Sequence, residues 1–231
     1  MQIHGFNKTT LLDYPGHLAA TLFLGGCNMR CPFCHNASLV TSPGSQPTIA
    51  EDEVLRYLTK RQAILEGVCI TGGEPTLYPG LPEFIGKIKA LGLQVKLDTN
   101  GTNPVMLKAL TEDKLIDYVA MDIKNSPEKY GLSSGANSHL LNKVKESVAF
   151  ILTGSIDYEF RTTIVKQHHT EADMNSIGVW LQGAKAYYLQ AYRDSEDILQ
   201  PGLTGHSKET METFKILLSP KIEHVYLRGI D

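Results

Sequence analysis

Runs of apolar and β-branched residues recur along the chain, and segments with helical periodicity separate them. Such runs predict buried strands, and their alternation with helices predicts a parallel sheet with helices packed outside it. Six strand–helix units and one extra last strand favour a partial (βα)6 barrel of the α/β class over a doubly wound sheet. The predicted strands cover residues 18–24, 68–71, 94–98, 118–123, 158–165, 187–192 and 224–228.

Two predicted helices begin with the same capping signal, a threonine followed three residues later by a carboxylate. Thr48 to Glu51 predicts a helix that runs to about residue 66. Thr170 to Asp173 predicts another, which ends near Gly183. The other predicted helices lie at residues 81–91, from 103 onward, at 141–152 and at 207–218.

Length and charge limit the class of protein. We expect residues 1–231 to form one domain with a sizeable core. A formal net charge of −3 gives no basic excess of the kind that nucleic-acid binders carry, and no apolar run approaches the ~18 residues of a membrane span. We therefore expect neither a nucleic acid nor a membrane as a partner. Four cysteines, three of them clustered, and the absence of a leader-like start favour a reducing, cytoplasmic location.

Three cysteines, Cys27, Cys31 and Cys34, are spaced as CxxxCxxC. Three such thiolates can bind three irons of a cubane iron–sulfur cluster and leave the fourth iron open. A structural zinc site is the alternative, because short cysteine spacings also suit zinc. Zinc would need a fourth ligand, and His35 could serve only if it turned onto the same metal as the adjacent Cys34. Cys69 lies in an apolar run and is predicted to pack as a small hydrophobe, which leaves thiols for one cluster only.

Polar motifs follow the carboxyl ends of four predicted strands, where barrels of this kind carry their functional groups. The cysteines follow the first strand, and Gly72-Gly73-Glu74-Pro75 follows the second. The third strand ends in Asp98-Thr99-Asn100-Gly101, and the fourth ends in Asp122-Ile123-Lys124. The sequence therefore predicts that these motifs meet at one rim.

Residues two apart in a strand share a face. The polar residues predicted to share the inner face in this way are Lys96 with Asp98, Asp122 with Lys124, and Glu159 with Arg161 and Thr163. Two interpretations remain open for each of them. The side chain either serves a binding site or only pairs with its neighbours in an ion-pair layer.

Together these motifs resemble those of the radical S-adenosylmethionine (SAM) enzymes. That superfamily is marked by CxxxCxΦC with an aromatic Φ, here Phe33, and by a segment similar to Gly72 to Pro75. The resemblance implies a barrel of the radical SAM type, one 4Fe-4S cluster on the three cysteines, and SAM bound at the open iron. Reductive cleavage of SAM would then yield methionine and a 5′-deoxyadenosyl radical that takes a hydrogen atom from the substrate.

The same resemblance implies roles for individual residues. The glycines Gly72 and Gly73 would contact the methionine amine, Glu74 would anchor this segment, and the Phe33 backbone would meet the adenine. A set of polar residues would bind the ribose hydroxyls and the SAM carboxylate: Asp98, Asn100, Asp122, Lys124 and Arg161. Gln190, on the polar face of the sixth strand, is a further candidate for SAM binding.

Within the superfamily, the chain is most similar to the glycyl-radical-enzyme activases in residues 11–17, 25–36, 98–101, 122–124 and 161–163. This resemblance implies that one hydrogen atom is taken from a glycine of a partner protein, with electrons from a low-potential donor such as flavodoxin or ferredoxin. Asp13-Tyr14-Pro15-Gly16 stands where the pyruvate formate-lyase type usually carries Asp-Gly-Pro-Gly, which favours anaerobic ribonucleoside-triphosphate reductase as the partner. Asp13 is predicted to accept a backbone N–H from the partner's glycine loop.

Three alternatives stay open. One is an activase of the pyruvate formate-lyase type. Another is a radical SAM enzyme acting on a small molecule or nucleotide, such as the family that makes 7-carboxy-7-deazaguanine, whose members often carry an insertion in the cysteine motif that this chain lacks. A third is a non-catalytic iron–sulfur electron carrier or interaction module, which would not require all of these motifs together. His168 and His169, ahead of the Thr170 helix, are expected to be solvated rather than metal-bound.

Overall fold

The computed structural model describes residues 1–230, which form eight strands and eight α-helices. The strands are β1 (Ile3–Thr10), β2 (Ala19–Leu24), β3 (Gly67–Gly72), β4 (Gln94–Thr99), β5 (Tyr118–Asp122), β6 (Asp157–Ile164), β7 (Ala186–Ala191) and β8 (His224–Arg228). The helices are α1 (Ala37–Thr41), α2 (Glu51–Arg61), α3 (Leu81–Lys89), α4 (Pro104–Glu112), α5 (Tyr130–Ser134), α6 (Ser138–Leu152), α7 (Glu171–Trp180) and α8 (Lys208–Leu218). None of the helices in residues 1–230 is both long and apolar enough to cross a membrane.

The chain divides into two compact units, and the first comprises residues 1–28, 38–99 and 103–120. In this unit β1 pairs antiparallel with β2, while β2, β3 and β4 are successive parallel neighbours. The register places Thr21, Cys69 and Lys96 in one row across three strands. The carboxyl ends of β2 and β3 lie side by side, because Leu24 is the partner of Gly72.

The second unit comprises residues 29–37, 100–102 and 121–231. Here β6, β7 and β8 are successive parallel neighbours. One row of the register joins Arg161, Tyr188 and Tyr226, and the row nearer the carboxyl ends includes Gln190 and Arg228. Both units thus have mainly parallel strands connected by helices, which confirms the predicted α/β class.

The helices bury the apolar faces that the sequence pattern assigns to them. On α3, Leu81, Phe84, Ile85 and Ile88 are each at most 1% exposed. Burial of a side chain of this size contributes roughly 1.5–3 kcal/mol. Both faces of the central strand β4 are covered, since Val95 and Leu97 on one face are fully buried and Lys96 on the other is only 2% exposed.

The sequence pattern missed β1. Its residues Asn7, Lys8 and Thr9 are exposed, so the strand has no run of apolar residues and no clean alternation. What forms it is main-chain pairing with β2, together with an isolated bridge between Ile3 and Ile49. Strands at the edge of a sheet often have this polar character.

The predicted capping role of Thr48 is wrong. The N-cap of α2 is Ala50, which makes no side-chain capping bond, and the helix ends at Arg61 rather than near residue 66. The bridge to Ile3 keeps Ile49 extended, because Ile49 N–H donates to the Ile3 carbonyl at 2.7 Å. Helix α7 also ends earlier than predicted, at Trp180.

The capping box at Thr170 does form. Thr170 Oγ1 accepts from the backbone N–H of Asp173, and the Asp173 carboxylate accepts from the backbone N–H of Thr170 at 2.9 Å. Two identical sequence signals therefore have different outcomes, and the chain offers a matched test of capping.

We expect Thr170→Ala to lower the free energy of unfolding by about 1 kcal/mol, because it removes the side-chain half of a capping box. Thr48→Ala should change it by less than about 0.5 kcal/mol, as for an ordinary surface position. Denaturant unfolding of both variants measures the difference. Equal losses in the two variants would show that the Thr170 box does not stabilise α7.

Candidate functional site

In the first unit, the segment Gly72-Gly73 packs against the end of β2 and the start of the cysteine motif. A Cβ on Gly73 would lie 1.9 Å from the carbonyl oxygen of Gly26, and one on Gly72 would lie 2.4 Å from Leu24 N. Gly72 also has a φ of +113°, a conformation that side chains other than glycine rarely adopt. Glu74 N–H then donates to the Gly26 carbonyl at 2.8 Å. The two glycines are thus required by contact with the protein's own backbone.

Glu74 is fully buried, and its carboxylate holds the segment by several hydrogen bonds. Its Oε1 accepts from Thr76 N–H at 3.0 Å, from the Thr76 hydroxyl at 2.5 Å and from the Thr99 hydroxyl at 2.8 Å. A buried carboxylate needs such donors, because leaving it unsatisfied would cost several kcal/mol. The side chain of Glu74 therefore joins the end of β3 to the end of β4.

Cys69 is fully buried, as predicted, but it lies on the polar face of β3. Its Sγ is 3.7 Å from an Asp98 carboxylate oxygen and 3.8 Å from Lys96 Nζ. Lys96 and Asp98 form an ion pair with each other. The ion-pair layer considered from the sequence is therefore present on β4.

Asp13 lies at the amino end of the parallel strands. Its carboxylate accepts from the Thr21 hydroxyl at 2.6 Å and is partly exposed. The neighbouring Tyr14 is buried, packs against Gly67 at the start of β3 and donates to the Gln94 side chain at the start of β4. Within the first unit, the turn that carries Asp13 is thus held at the end of the strands opposite to Gly72 and Gly73.

In the second unit, residues 29–37 form the loop that carries Cys31, Phe33 and Cys34, called here the cysteine loop. Backbone bonds hold it at two points, from Arg30 N–H to the Ser134 carbonyl at 2.8 Å and from Gln200 N–H to the Pro32 carbonyl at 2.9 Å. A tight turn closes between Cys31 and Cys34, whose N–H donates to the Cys31 carbonyl at 3.1 Å. Cys31 is buried and Cys34 is partly exposed.

The donor set fits an iron–sulfur cluster better than zinc. In a cubane cluster each of three cysteines binds a different iron, so no fourth protein ligand is needed. His35, the possible fourth zinc ligand, directs its Nε2 to the Arg193 carbonyl at 2.7 Å and stacks on Tyr192.

One carboxylate holds two cations beside the cysteine loop. Asp122 accepts from Lys124 Nζ at 3.0 Å and from Arg161 Nε at 2.9 Å. Burial disfavours the charge on Lys124, but the Asp122 carboxylate and the Cys31 thiolate outweigh burial and hold the pKa of Lys124 above its usual range. An ammonium and a guanidinium group are thereby fixed beside each other, and both are donors that form charge-assisted bonds with carboxylates.

His168 and His169 are buried, at 8% and 0% exposed, so the prediction that they are solvated is wrong. The Phe33 ring packs edge-on against both, with centroids 5.7 Å and 6.1 Å away. Burial lowers the pKa of His168 and lowers that of His169 to about 4. The signal that could have found them is positional, because both follow the carboxyl end of β6, where the other motifs also lie.

Asn100 and Gln190 occupy the expected strand ends. The Asn100 side-chain oxygen accepts from the N–H of Thr102 at 3.0 Å and from its hydroxyl at 2.7 Å, which fixes the loop after β4. Gln190 is partly buried on β7, in register with Arg228. Both keep their predicted positions, and their contacts with SAM remain predictions.

A further cluster on the polar face of β6 to β8 was not predicted as such. Arg228 donates through both terminal nitrogens to the fully buried Glu159, at 2.9 Å and 3.0 Å. Its guanidinium also lies 3.6 Å from the centroid of Tyr188, which stacks on Tyr226. The ion-pair interpretation applies to Glu159, since this bidentate pair neutralises its charge.

A profile of the Radical SAM superfamily matches residues 21–178. The chain therefore belongs to the radical SAM superfamily. A protein of Methanocaldococcus jannaschii, MJ1227, whose name places it among the glycyl-radical enzyme activating enzymes, is 31% identical over 235 residues, which cover 99% of this chain and 96% of that protein. The pyruvate formate-lyase-activating enzyme of Staphylococcus aureus is 31% identical over 152 residues, 61% of this chain and 60% of that enzyme. The chain is thus a radical SAM enzyme homologous to glycyl-radical-enzyme activases.

Solved structures agree on the fold. Streptococcus suis SuiB bound to S-adenosylmethionine superposes with a TM-score of 0.70 at 11% identity, over 90% of this chain and 52% of that one. A domain of the pyruvate-formate lyase-activating enzyme from Bacteroides vulgatus gives 0.56 at 14% identity, over 71% of this chain and 99% of that domain. This chain spans about half the length of SuiB. At such identities the likeness supports the fold alone.

Proposed function

We propose that this enzyme cleaves SAM reductively and takes a hydrogen atom from a glycine of a glycyl-radical enzyme, with anaerobic ribonucleoside-triphosphate reductase as the partner. The observation that carries the activase part is the 31% identity to MJ1227 over nearly the full length of both chains. The proposal treats both compact units as one catalytic domain in the cytoplasm. Electrons would come from a low-potential donor such as flavodoxin or ferredoxin.

The choice of partner rests on the turn that contains Tyr14. Its ring is 2% exposed and contacts Gly67, where an added Cβ would lie 2.9 Å from the Tyr14 ring. Replacing a buried aromatic residue by glycine would leave a cavity that costs several kcal/mol. The turn of this chain is therefore built around a side chain that Asp-Gly-Pro-Gly lacks, which supports a branch other than the pyruvate formate-lyase type. Activation of pyruvate formate-lyase is the second candidate, favoured by the match to the Staphylococcus enzyme.

Cys27, Cys31 and Cys34 would hold one 4Fe-4S cluster. When bound, the cluster supplies the electron for SAM cleavage and an open coordination position for SAM. The backbone bonds to Ser134 and Gln200 hold the loop that carries Cys31 and Cys34. Cys69 would stay outside the cluster, since its thiol faces Lys96 and Asp98.

The remaining predicted residues would bind and orient SAM. Lys124 and Arg161, fixed by Asp122, would contact the SAM carboxylate, because ammonium and guanidinium groups form charge-assisted bonds with carboxylates. The other residues proposed to contact SAM are Phe33, Gly72, Gly73, Asp98, Asn100 and Gln190, with Glu74 as the anchor. Asp13, at the amino ends of the strands, would accept a backbone N–H from the part of the partner's glycine loop that reaches this end.

Anaerobic reconstitution should give about four irons per chain, the content of one 4Fe-4S cluster. Iron should fall sharply in Cys27→Ala, Cys31→Ala and Cys34→Ala, because each loses a ligand. Cys69→Ala is the matched control and should keep its iron. Loss of iron in Cys69→Ala would contradict the assignment of this thiol to the buried strand.

Lys124→Ala should weaken SAM binding by about 2 to 3 kcal/mol, because a charge-assisted contact to the SAM carboxylate is lost. Anaerobic calorimetry measures the affinity, and the iron content should not change. Lys129→Ala is the control, since Lys129 pairs with Asp173 in the same unit and has no proposed contact with SAM. Unchanged affinity in Lys124→Ala would place Lys124 among the purely structural ion pairs.

The function itself is tested by electron paramagnetic resonance. The reconstituted enzyme, reductant and SAM, mixed anaerobically with anaerobic ribonucleoside-triphosphate reductase, should give the doublet signal of a glycyl radical. Asp13→Asn should lower the yield of the glycyl radical, because an uncharged amide accepts an N–H less strongly than a carboxylate does. The cluster should stay intact, since asparagine can still accept from Thr21. Asp52→Asn, at an exposed position on α2, serves as the control.

Two other outcomes would redirect the assignment. If the doublet appears with pyruvate formate-lyase but not with the reductase, pyruvate formate-lyase is the partner and the reductase is not. If no glycyl-radical enzyme is activated, and a nucleotide or small metabolite instead accelerates 5′-deoxyadenosine formation while being consumed in equal amount, the activase proposal is wrong.

A further inference from the structure

His168 and His169 lie behind the cysteine loop in the second unit, and the proposed chemistry uses neither of them. Their burial is unusual for two adjacent histidines at the end of a strand. His168 Nδ1 lies 3.1 Å from the Ser133 hydroxyl, and its carbonyl accepts from the Asn125 amide at 3.0 Å. The His168 ring and backbone are therefore each fixed by a polar contact, and both histidines are largely shielded from water.

The contacts of His169 determine which ring nitrogen carries the proton. Nε2 lies 3.0 Å from the carbonyl oxygen of Lys124, and a carbonyl oxygen can only accept, so Nε2 carries a hydrogen. Burial keeps the ring neutral at neutral pH, because it lowers the pKa to about 4. The neutral ring then has no hydrogen on Nδ1, which accepts from Val165 N–H at 3.0 Å; the Val165 carbonyl lies 3.2 Å from the same nitrogen and accepts instead from the backbone N–H of His169.

His169 thus connects three parts of the second unit. Through Val165 it is fixed to the end of β6, and through the Lys124 carbonyl it holds the residue whose ammonium pairs with Asp122. Its ring, with that of His168, is also the surface on which Phe33 packs. Phe33 and Lys124 are two of the residues proposed to contact SAM.

We propose that His169 is a positioning residue for SAM, which sets the Lys124 backbone and the Phe33 ring relative to each other. This inference rests on the proposed function, because it concerns the binding of SAM. A positioning role for His169 differs from a role in core packing alone in one respect. A positioning role depends on the bond to Lys124, whereas packing depends only on the volume of the ring.

Two amide replacements separate these roles. The asparagine amide reaches only as far as Nδ1, so His169→Asn keeps the acceptor for Val165 and loses the donor to Lys124. The glutamine amide reaches as far as Nε2, so His169→Gln keeps the donor to Lys124 and loses the acceptor for Val165. Both variants remove the ring and each loses one hydrogen bond, so their stabilities should be similar.

The reconstituted holoenzyme is used for both measurements, with His224→Asn as the control, since His224 is exposed on β8. His169→Asn should raise the dissociation constant of SAM about tenfold, the size expected for displacement of one hydrogen-bonding group. His169→Gln should stay within about threefold of the wild type. In assays of 5′-deoxyadenosine formation, His169→Asn should raise KM for SAM and leave kcat unchanged, with equal iron content in all variants.

Wild-type affinity in both variants, or equal weakening that follows their loss of stability, would overturn the positioning role and leave the proposed function intact. Failure of the wild-type enzyme to bind SAM would overturn both. If His169→Asn does not fold, His169→Phe replaces it, because that change keeps a ring of similar volume against Phe33 and removes the bond to the Lys124 carbonyl. Its KM for SAM must then rise with kcat unchanged, and an unchanged KM overturns the proposal.

Discussion

The close approach of Gly73 to Gly26 is the contact on which the first unit depends. No side chain fits between these backbones, and the Gly26 carbonyl accepts from the Glu74 N–H. This contact fixes the segment after β3 directly against the residues that lead into Cys27. Glu74 then extends the connection to Thr99 at the end of β4. Three strand ends are thereby held in a defined arrangement by buried contacts alone.

Charge is organised differently in the two units. In the first unit Lys96 pairs with Asp98, one cation with one anion. In the second unit Asp122 binds both Lys124 and Arg161. The ion-pair interpretation and the binding-site interpretation are therefore compatible, because a carboxylate that orders two cations both pairs with their charge and fixes two groups that can bind an anionic ligand.

Sequence patterns predicted what depends on local periodicity. Seven of the eight strands in residues 1–230, the apolar face of α3 and the box at Thr170 follow from spacing alone. The predictions that failed concern residues whose structure depends on partners far away in the sequence. β1 exists because β2 pairs with it, and Thr48 does not cap because Ile3 holds Ile49 extended. The burial of His169 depends on the cysteine loop packing over it, which no local pattern contains.

Lys124 and Arg161 share the carboxylate of Asp122, and this sharing limits which substitutions the chain can accumulate. A substitution that removes this carboxylate takes one shared ion-pair partner from both Lys124 and Arg161 and increases the repulsion between these neighbouring cations. A later change at Lys124 or Arg161 alone could not restore both contacts. We therefore expect the residues at these three positions to be retained together or replaced together among descendants of this chain.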